Sequence, residues 1–137
     1  MSMFPHVVSV LNKYEDELGD AVYKVTKLSG VLYVESMSTS KALTGSDNKD
    51  NKKCTIPFSV DTNGKQFLSP VEYNKLKEPN RGSYWTLRKD DIIVHGDVTE
   101  NDITLKFVNN NYDKKLIISF VDTFDFGSLK HWLVGGA

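Results

Sequence analysis

Ala21-Val22-Tyr23-Lys24-Val25-Thr26-Lys27-Leu28-Ser29-Gly30-Val31-Leu32-Tyr33-Val34-Glu35 is the stretch that decides the fold. Short apolar runs alternate here with polar residues, as in strands with one face turned to a core. The reading is two strands, 21–28 and 30–35. Gly30 inside an extended run marks a bulge or sharp bend. Upstream, Val7 to Leu11 reads as a strand, with Glu15-Asp16-Glu17-Leu18-Gly19-Asp20 as the turn between.

The same texture continues downstream. Thr55 to Val60 reads as a strand, with Pro57 favouring an edge position because proline has no N–H for a ladder. Asp61-Thr62-Asn63-Gly64 is a turn whose Asn-Gly pair reaches positive φ at little cost. Asp91 to Val98 and His131 to Val134 are further strands. Ile103, Leu105 and Phe107 alternate with Thr104 and Lys106, and Leu116, Ile118 and Phe120 repeat the pattern. Asn109-Asn110-Asn111-Tyr112-Asp113-Lys114 lies between them, so 102–108 and 116–121 are expected to form a hairpin. One helix is expected at 69–77, with Ser69 as N-cap, Pro70 at the first helical position and Glu72 completing a capping box. These elements predict a mainly β chain: a small antiparallel β-barrel or sandwich with one short helix and a long inserted loop.

The loop is 36–53, a Ser-, Asn- and Lys-rich run without periodicity. Lys41, Lys49, Lys52 and Lys53 stand there against Asp47 and Asp50. Loops of this length in small domains are functional or solvated excursions. The 129–137 stretch reads as a C-terminal tail strand.

At 137 residues the chain is expected to be one domain, 1–137, large enough for a core without disulfides or metal. Seventeen basic and eighteen acidic residues leave a net charge of -1, so the basic excess of a nucleic-acid-coating protein is absent. Cys54 is the single cysteine, which suits a reducing compartment. Met1-Ser2-Met3-Phe4-Pro5 lacks the features of a signal peptide, and no apolar run approaches a bilayer span. The expectation is a protein made in the cytoplasm and not held by a membrane.

Residues that carry chemistry are scattered. His6, His95 and His131 have no His or Cys at zinc-ligand spacing. His95 alternates with Ile92 and Val94 and reads as a packing or surface histidine. Cys54 follows Lys52 and Lys53 but has no base beside it. Asp90-Asp91 reads as a turn before a strand, and Glu15-Asp16-Glu17 lacks the ligand alternation of a calcium loop. No catalytic, cofactor or metal residue is assigned, and the chain is expected not to be an enzyme. The aromatic anchors Tyr84, Trp85, Phe124, Phe126 and Trp132, with His131, are expected to form interfaces. Lys41, Lys49, Lys52 and Lys53 are expected to contribute loop contacts.

Across nearly the whole chain the order of short motifs resembles a family of small structural proteins of tailed bacteriophages encoded among head and tail genes. The residues that carry it are Leu11-Asn12-Lys13-Tyr14, Gly30-Val31-Leu32-Tyr33, Cys54-Thr55-Ile56-Pro57-Phe58 and Phe67-Leu68-Ser69-Pro70-Val71-Glu72-Tyr73. Ser83-Tyr84-Trp85-Thr86-Leu87, Asp90-Asp91-Ile92-Ile93-Val94-His95-Gly96 and Leu129-Lys130-His131-Trp132-Leu133-Val134-Gly135-Gly136 complete the pattern. The resemblance implies a head-completion or head–tail connector protein, a stopper-ring subunit at the virion neck. Its implied partners are copies of itself in a twelve-fold or six-fold ring, portal or adaptor proteins, and tail-terminator or tail-tube proteins. Weak contact of 36–53 with packaged DNA is a further implication. The lengthened 36–53 loop departs from the pattern. A tail terminator or a minor capsid or tail protein is the nearest alternative. A small β-barrel enzyme or ligand-binding domain built around Tyr84, Trp85 and His95 is the remaining one.

Overall fold

The computed structural model describes residues 4–15, 18–35, 52–76, 80–100 and 103–137. Eight strands run in chain order: β1 (His6–Glu15), β2 (Ala21–Glu35), β3 (Lys52–Pro57), β4 (Gln66–Phe67), β5 (Tyr84–Trp85), β6 (Ile92–His95), β7 (Lys115–Phe124) and β8 (His131–Gly136). Two short helices, α1 (Pro70–Asn74) and α2 (Leu105–Asn111), and a 3-10 turn at Asn80–Ser83 join them. Six strands form one antiparallel sheet in the order β1-β2-β3-β8-β7-β6, and β6 pairs back onto β1, closing the ring. Closure leaves these strands without an open edge. The mainly β expectation therefore holds.

The opening stretch is one continuous strand rather than two. His6 pairs with Val31 and Val7 with Ser29, so Gly30 is the extra residue of a bulge. Its φ of 98° is one that glycine reaches without a steric penalty. The Asn63-Gly64 turn also forms, with φ of 56° and 89°. Ser69 caps α1 by accepting a hydrogen bond from the Glu72 N–H.

Several expectations change. The 102–108 and 116–121 hairpin does not form, because 105–111 is α2. Thr104 caps that helix by accepting from the Phe107 N–H at 3.2 Å, and the Asn-rich segment supplies its last turn rather than a hairpin loop. Lys52 and Lys53 belong to β3 and not to a loop, while Lys41 and Lys49 lie outside the described residues. Pro57 is not on an edge: β3 lies between β2 and β8, and Pro57 is its last residue, where a missing N–H is cheap. The expected C-terminal strand forms as β8, and it is an inner strand, paired on one side with β3 and on the other with β7. The strand expected at 91–98 is shorter, ending at His95 before Gly96.

Two apolar layers explain why five consecutive β1 residues are buried. Val8 and Val10 point into the ring with Leu28, Ile56, Ile93 and Ile118. Leu11 points outward, into a second cluster with Tyr23, Ile92, Val94 and Val108 of α2. The wall centred on β1 is thus covered by α2, and its strands lose the alternation that a solvent-facing wall would show.

The Tyr84–Arg88 segment closes one end of the ring. Trp85 and Leu87 join the inner cluster. Asn12, fully buried, donates to the Thr86 carbonyl (2.8 Å) and to Asp91 Oδ2 (2.8 Å), and accepts from the Thr86 N–H (3.2 Å). Arg88 holds the same carboxylate with two nitrogens, at 2.8 and 3.1 Å. The Lys13 N–H adds a bond of 3.1 Å. The pair Asp90-Asp91 is therefore more than a turn: Asp91 ties β1 to the closing segment.

Candidate interaction surfaces

Trp85 and Trp132 are core, not contact, residues, with 1% and 8% of their surface exposed. Their rings are 5.6 Å apart edge to face, and Phe67 touches both, at 5.1 and 4.4 Å. Phe58 lies 4.4 Å from Trp132. Burial wins here because one end of the ring must be filled, and large aromatic groups fill it with few residues. The cluster's outer side opens into a cleft of about 510 Å³ lined by Phe58, Phe67, Pro70, Leu87, Val121 and Trp132, with Ser69 and Thr123 as its hydroxyls. The cleft that contains His95 is lined by Tyr33, Glu35 and Lys114, and neither Tyr84 nor Trp85 is among its lining residues.

The wall opposite α2 has a different character. In ring order β8 stands across from β1. Register defines its outward rows. Val34, Lys53, Gly135 and Phe120 form one, Leu32, Thr55, Leu133 and Asp122 the next, and Pro57, His131 and Phe124 a third. The row between the first two, Tyr33, Cys54, Val134 and Val121, faces the core, as period-2 alternation requires. Phe120 lies flat against Gly135, where any Cβ would run into the Phe120 ring. Phe124 stacks on His131 with 4.8 Å between centroids, and Phe126, 71% exposed, stands 6.1 Å from Phe124. Val34 (49%) and Ile117 (44%) are also open to solvent. Of the expected interface residues, this wall unites Lys53, Phe124, Phe126 and His131. Tyr84 is half-buried in β5, away from it, and Lys52 donates to the Lys115 carbonyl at 2.8 Å. Phe120 and Leu133 were not singled out from sequence. Leu133 was within reach, since a buried Trp132 in a strand turns its neighbour outward.

A polar corner lies at the rim where β1 begins and β2 and β6 end. The Tyr33 N–H donates to His6 Nδ1 at 3.0 Å, and the Tyr33 hydroxyl donates to Glu35 at 2.9 Å. His95 stacks on Tyr33 at 4.7 Å and meets the His6 ring edge-on at 5.0 Å. Burial, followed by Glu35, pushes the Tyr33 phenol well above its ordinary range. Because Nδ1 of His6 accepts, neutral His6 carries its proton on Nε2 and has no lone pair left for a metal. Among the described residues no group of His, Cys, Asp and Glu is arranged to hold a metal ion. None of the described helices is long and apolar enough to cross a membrane.

Cys54 faces the core, and burial pushes its thiol up to about 12. The lysines before it in sequence do not activate it: strand alternation turns Lys53 to the other face, and the Lys52 ammonium donates to the Lys115 carbonyl. Folded protein is therefore expected to react with a thiol reagent at neutral pH at least about 100-fold more slowly than denatured protein. Absorbance-monitored labelling with and without denaturant measures this directly.

The chain matches a family described as "Family of unknown function (DUF6751)" over residues 5–137 and belongs to it. No curated protein and no solved structure matches the chain.

Proposed function

We propose that this DUF6751 member is a structural subunit of a tailed-bacteriophage neck. In this reading it is a head-closure (stopper) protein whose copies form a ring that seals the DNA-filled head and receives the tail. The phage assignment comes from the motif order set out above. The observation that carries the assembly reading is the pair of unlike walls: one covered by α2, and one opposite with half-exposed Leu133, Phe120 and Phe124. Heterologous association needs two different surfaces on opposite sides of a subunit, and it closes into a ring when the rotation per copy divides a full turn. A subunit acting by shape needs no catalytic residue. Its partners are then further copies, portal or adaptor proteins above and tail proteins below, and its place is the virion, after synthesis in the host cytoplasm.

Virions made without the gene are the test. DNA-leaking heads without tails are expected. Heads that retain DNA and join tails overturn the proposal, and a defect confined to tail length favours a tail terminator. A second reading, a ligand-binding domain, rests on the apolar cleft beside Phe58 and Trp132. It predicts saturable binding of an apolar small molecule by the purified protein and normal virions without the gene.

The wall yields its own expected result. Leu133→Asp places a charge on the half-exposed outer face. It is expected to cost the monomer less than about 1 kcal/mol while weakening ring assembly at least about tenfold. Thermal melting reads the first quantity and native mass spectrometry of the assembled neck reads the second.

A further inference from the structure

We propose that His6 is an acid-sensitive latch: neutral, it fastens the start of β1 to the end of β2 by accepting the Tyr33 N–H, and protonation releases that corner of the ring. The inference is independent of the assembly reading, since it concerns one contact within one copy.

The geometry carries it. The Gly30 bulge falls between the His6–Val31 and Val7–Ser29 pairs, so the regular β1–β2 ladder is interrupted just where β1 begins. Beyond the bulge, the Tyr33 N–H finds its partner in a side chain, His6 Nδ1, at 3.0 Å. An imidazole accepts only while one nitrogen is unprotonated, and the imidazolium is a donor at both. Protonation would set an N–H against an N–H at a part-buried site and end the bond. Imidazole is the side chain whose ordinary pKa makes this change just below neutrality.

The neighbours act in the same direction. From β6, His95 meets His6 at 5.0 Å, so two imidazolium rings would repel across the corner. Lys114, whose carbonyl accepts the His95 N–H at 2.8 Å, adds a fixed positive charge beside the same cleft. From β2, Glu35 is the opposing charge, held by the Tyr33 hydroxyl. Lys52 of β3 pairs with Glu35 in the ladder, and Cys54 faces Tyr33 from below as a neutral thiol. Burial first, then His6 and Lys114, hold His95 below its ordinary 6.5, with Glu35 opposing. A histidine lowered on folding takes up its proton later than in the unfolded chain. Its share of stability is thus present above 6.5 and is lost as pH falls through the window beneath.

Amide exchange, corrected for intrinsic rates, tests the latch residue by residue. Between about pH 7.5 and about pH 5.5, protection of the Tyr33 amide is expected to fall about tenfold or more relative to amides elsewhere in the β1–β2 ladder. His6→Gln supplies a carbonyl oxygen that does not titrate, and is expected to keep Tyr33 protected at both pH values. His95→Gln is expected to leave the release in place at a shifted midpoint. The nitrogen-15 spectrum of the unmodified protein gives a second readout that needs no variant: Nδ1 of His6 is expected to be the unprotonated nitrogen at neutral pH. Uniform Tyr33 protection across this range, the same loss in His6→Gln, or a protonated Nδ1 at neutral pH overturns the proposal.

Discussion

Trp85→Ala is expected to remove about 3–5 kcal/mol of unfolding free energy, a large fraction of what a chain of this size has. Trp85 is 1% exposed and is among the largest fully buried side chains. It fills the end of the ring against Phe67 and Trp132, which are anchored on different strands and cannot both move into the space. The cavity left would be apolar and dry, so its lining would lose contacts outright. Trp85→Phe is expected to cost much less than the alanine change. The ring volume is largely kept, and the buried Trp85 indole N–H has no hydrogen-bond partner among the described residues, so its removal relieves an unmet donor. Urea unfolding followed through Trp132 fluorescence measures both variants. A Trp85→Ala loss under about 1 kcal/mol would mean that Trp85 is not buried as described.

Asp91→Ala is the second large effect, also about 3–5 kcal/mol. The carboxylate is buried and collects bonds from Arg88, Asn12 and the Lys13 N–H, so its removal leaves a half-buried guanidinium and a buried amide without their shared acceptor. The pair itself is not the source of net stability, because desolvating two charges offsets most of their attraction. Arg88→Met with Asp91→Leu is accordingly expected to recover a good part of the loss. Burial pushes the Asp91 carboxyl above its ordinary 3.8, while Arg88, Asn12 and Lys13 pull it part of the way back. A carboxyl raised on folding is protonated more in the native state. Its contribution is therefore complete below 3.8 and declines as pH rises through the folded value. Asp91→Asn is expected to flatten that slope, measured as unfolding free energy across the acid range. His95, lowered on folding, contributes a pH dependence of the opposite sign below 6.5.

Several elements were legible from the chain because their causes are local. Alternation in 21–35, the Gly30 bulge, the Asn63-Gly64 turn and the Ser69–Glu72 cap each depend on the backbone preferences of a few neighbouring residues. Only packing settled the rest. Ile103, Leu105 and Phe107 fit a strand as well as they fit one turn and a half of helix. The helix wins because Val108 docks over Leu11 and Tyr23 on a wall that needed covering. Hydrophobic spacing records that Trp85 and Trp132 should be out of water, but not whether a core or another protein removes them. That β8 is a strand was legible, but that it is an inner stave between β3 and β7 was not. The His6–Tyr33 bond joins residues brought together by ladder pairing and a bulge, and no local pattern announces it. Local conformational preference thus wrote the strands, turns and one cap into the amino-acid order. The closed ring, its two unlike walls and its titratable corner arise only from contacts distant along the chain, whose free energy depends on which surfaces finally meet.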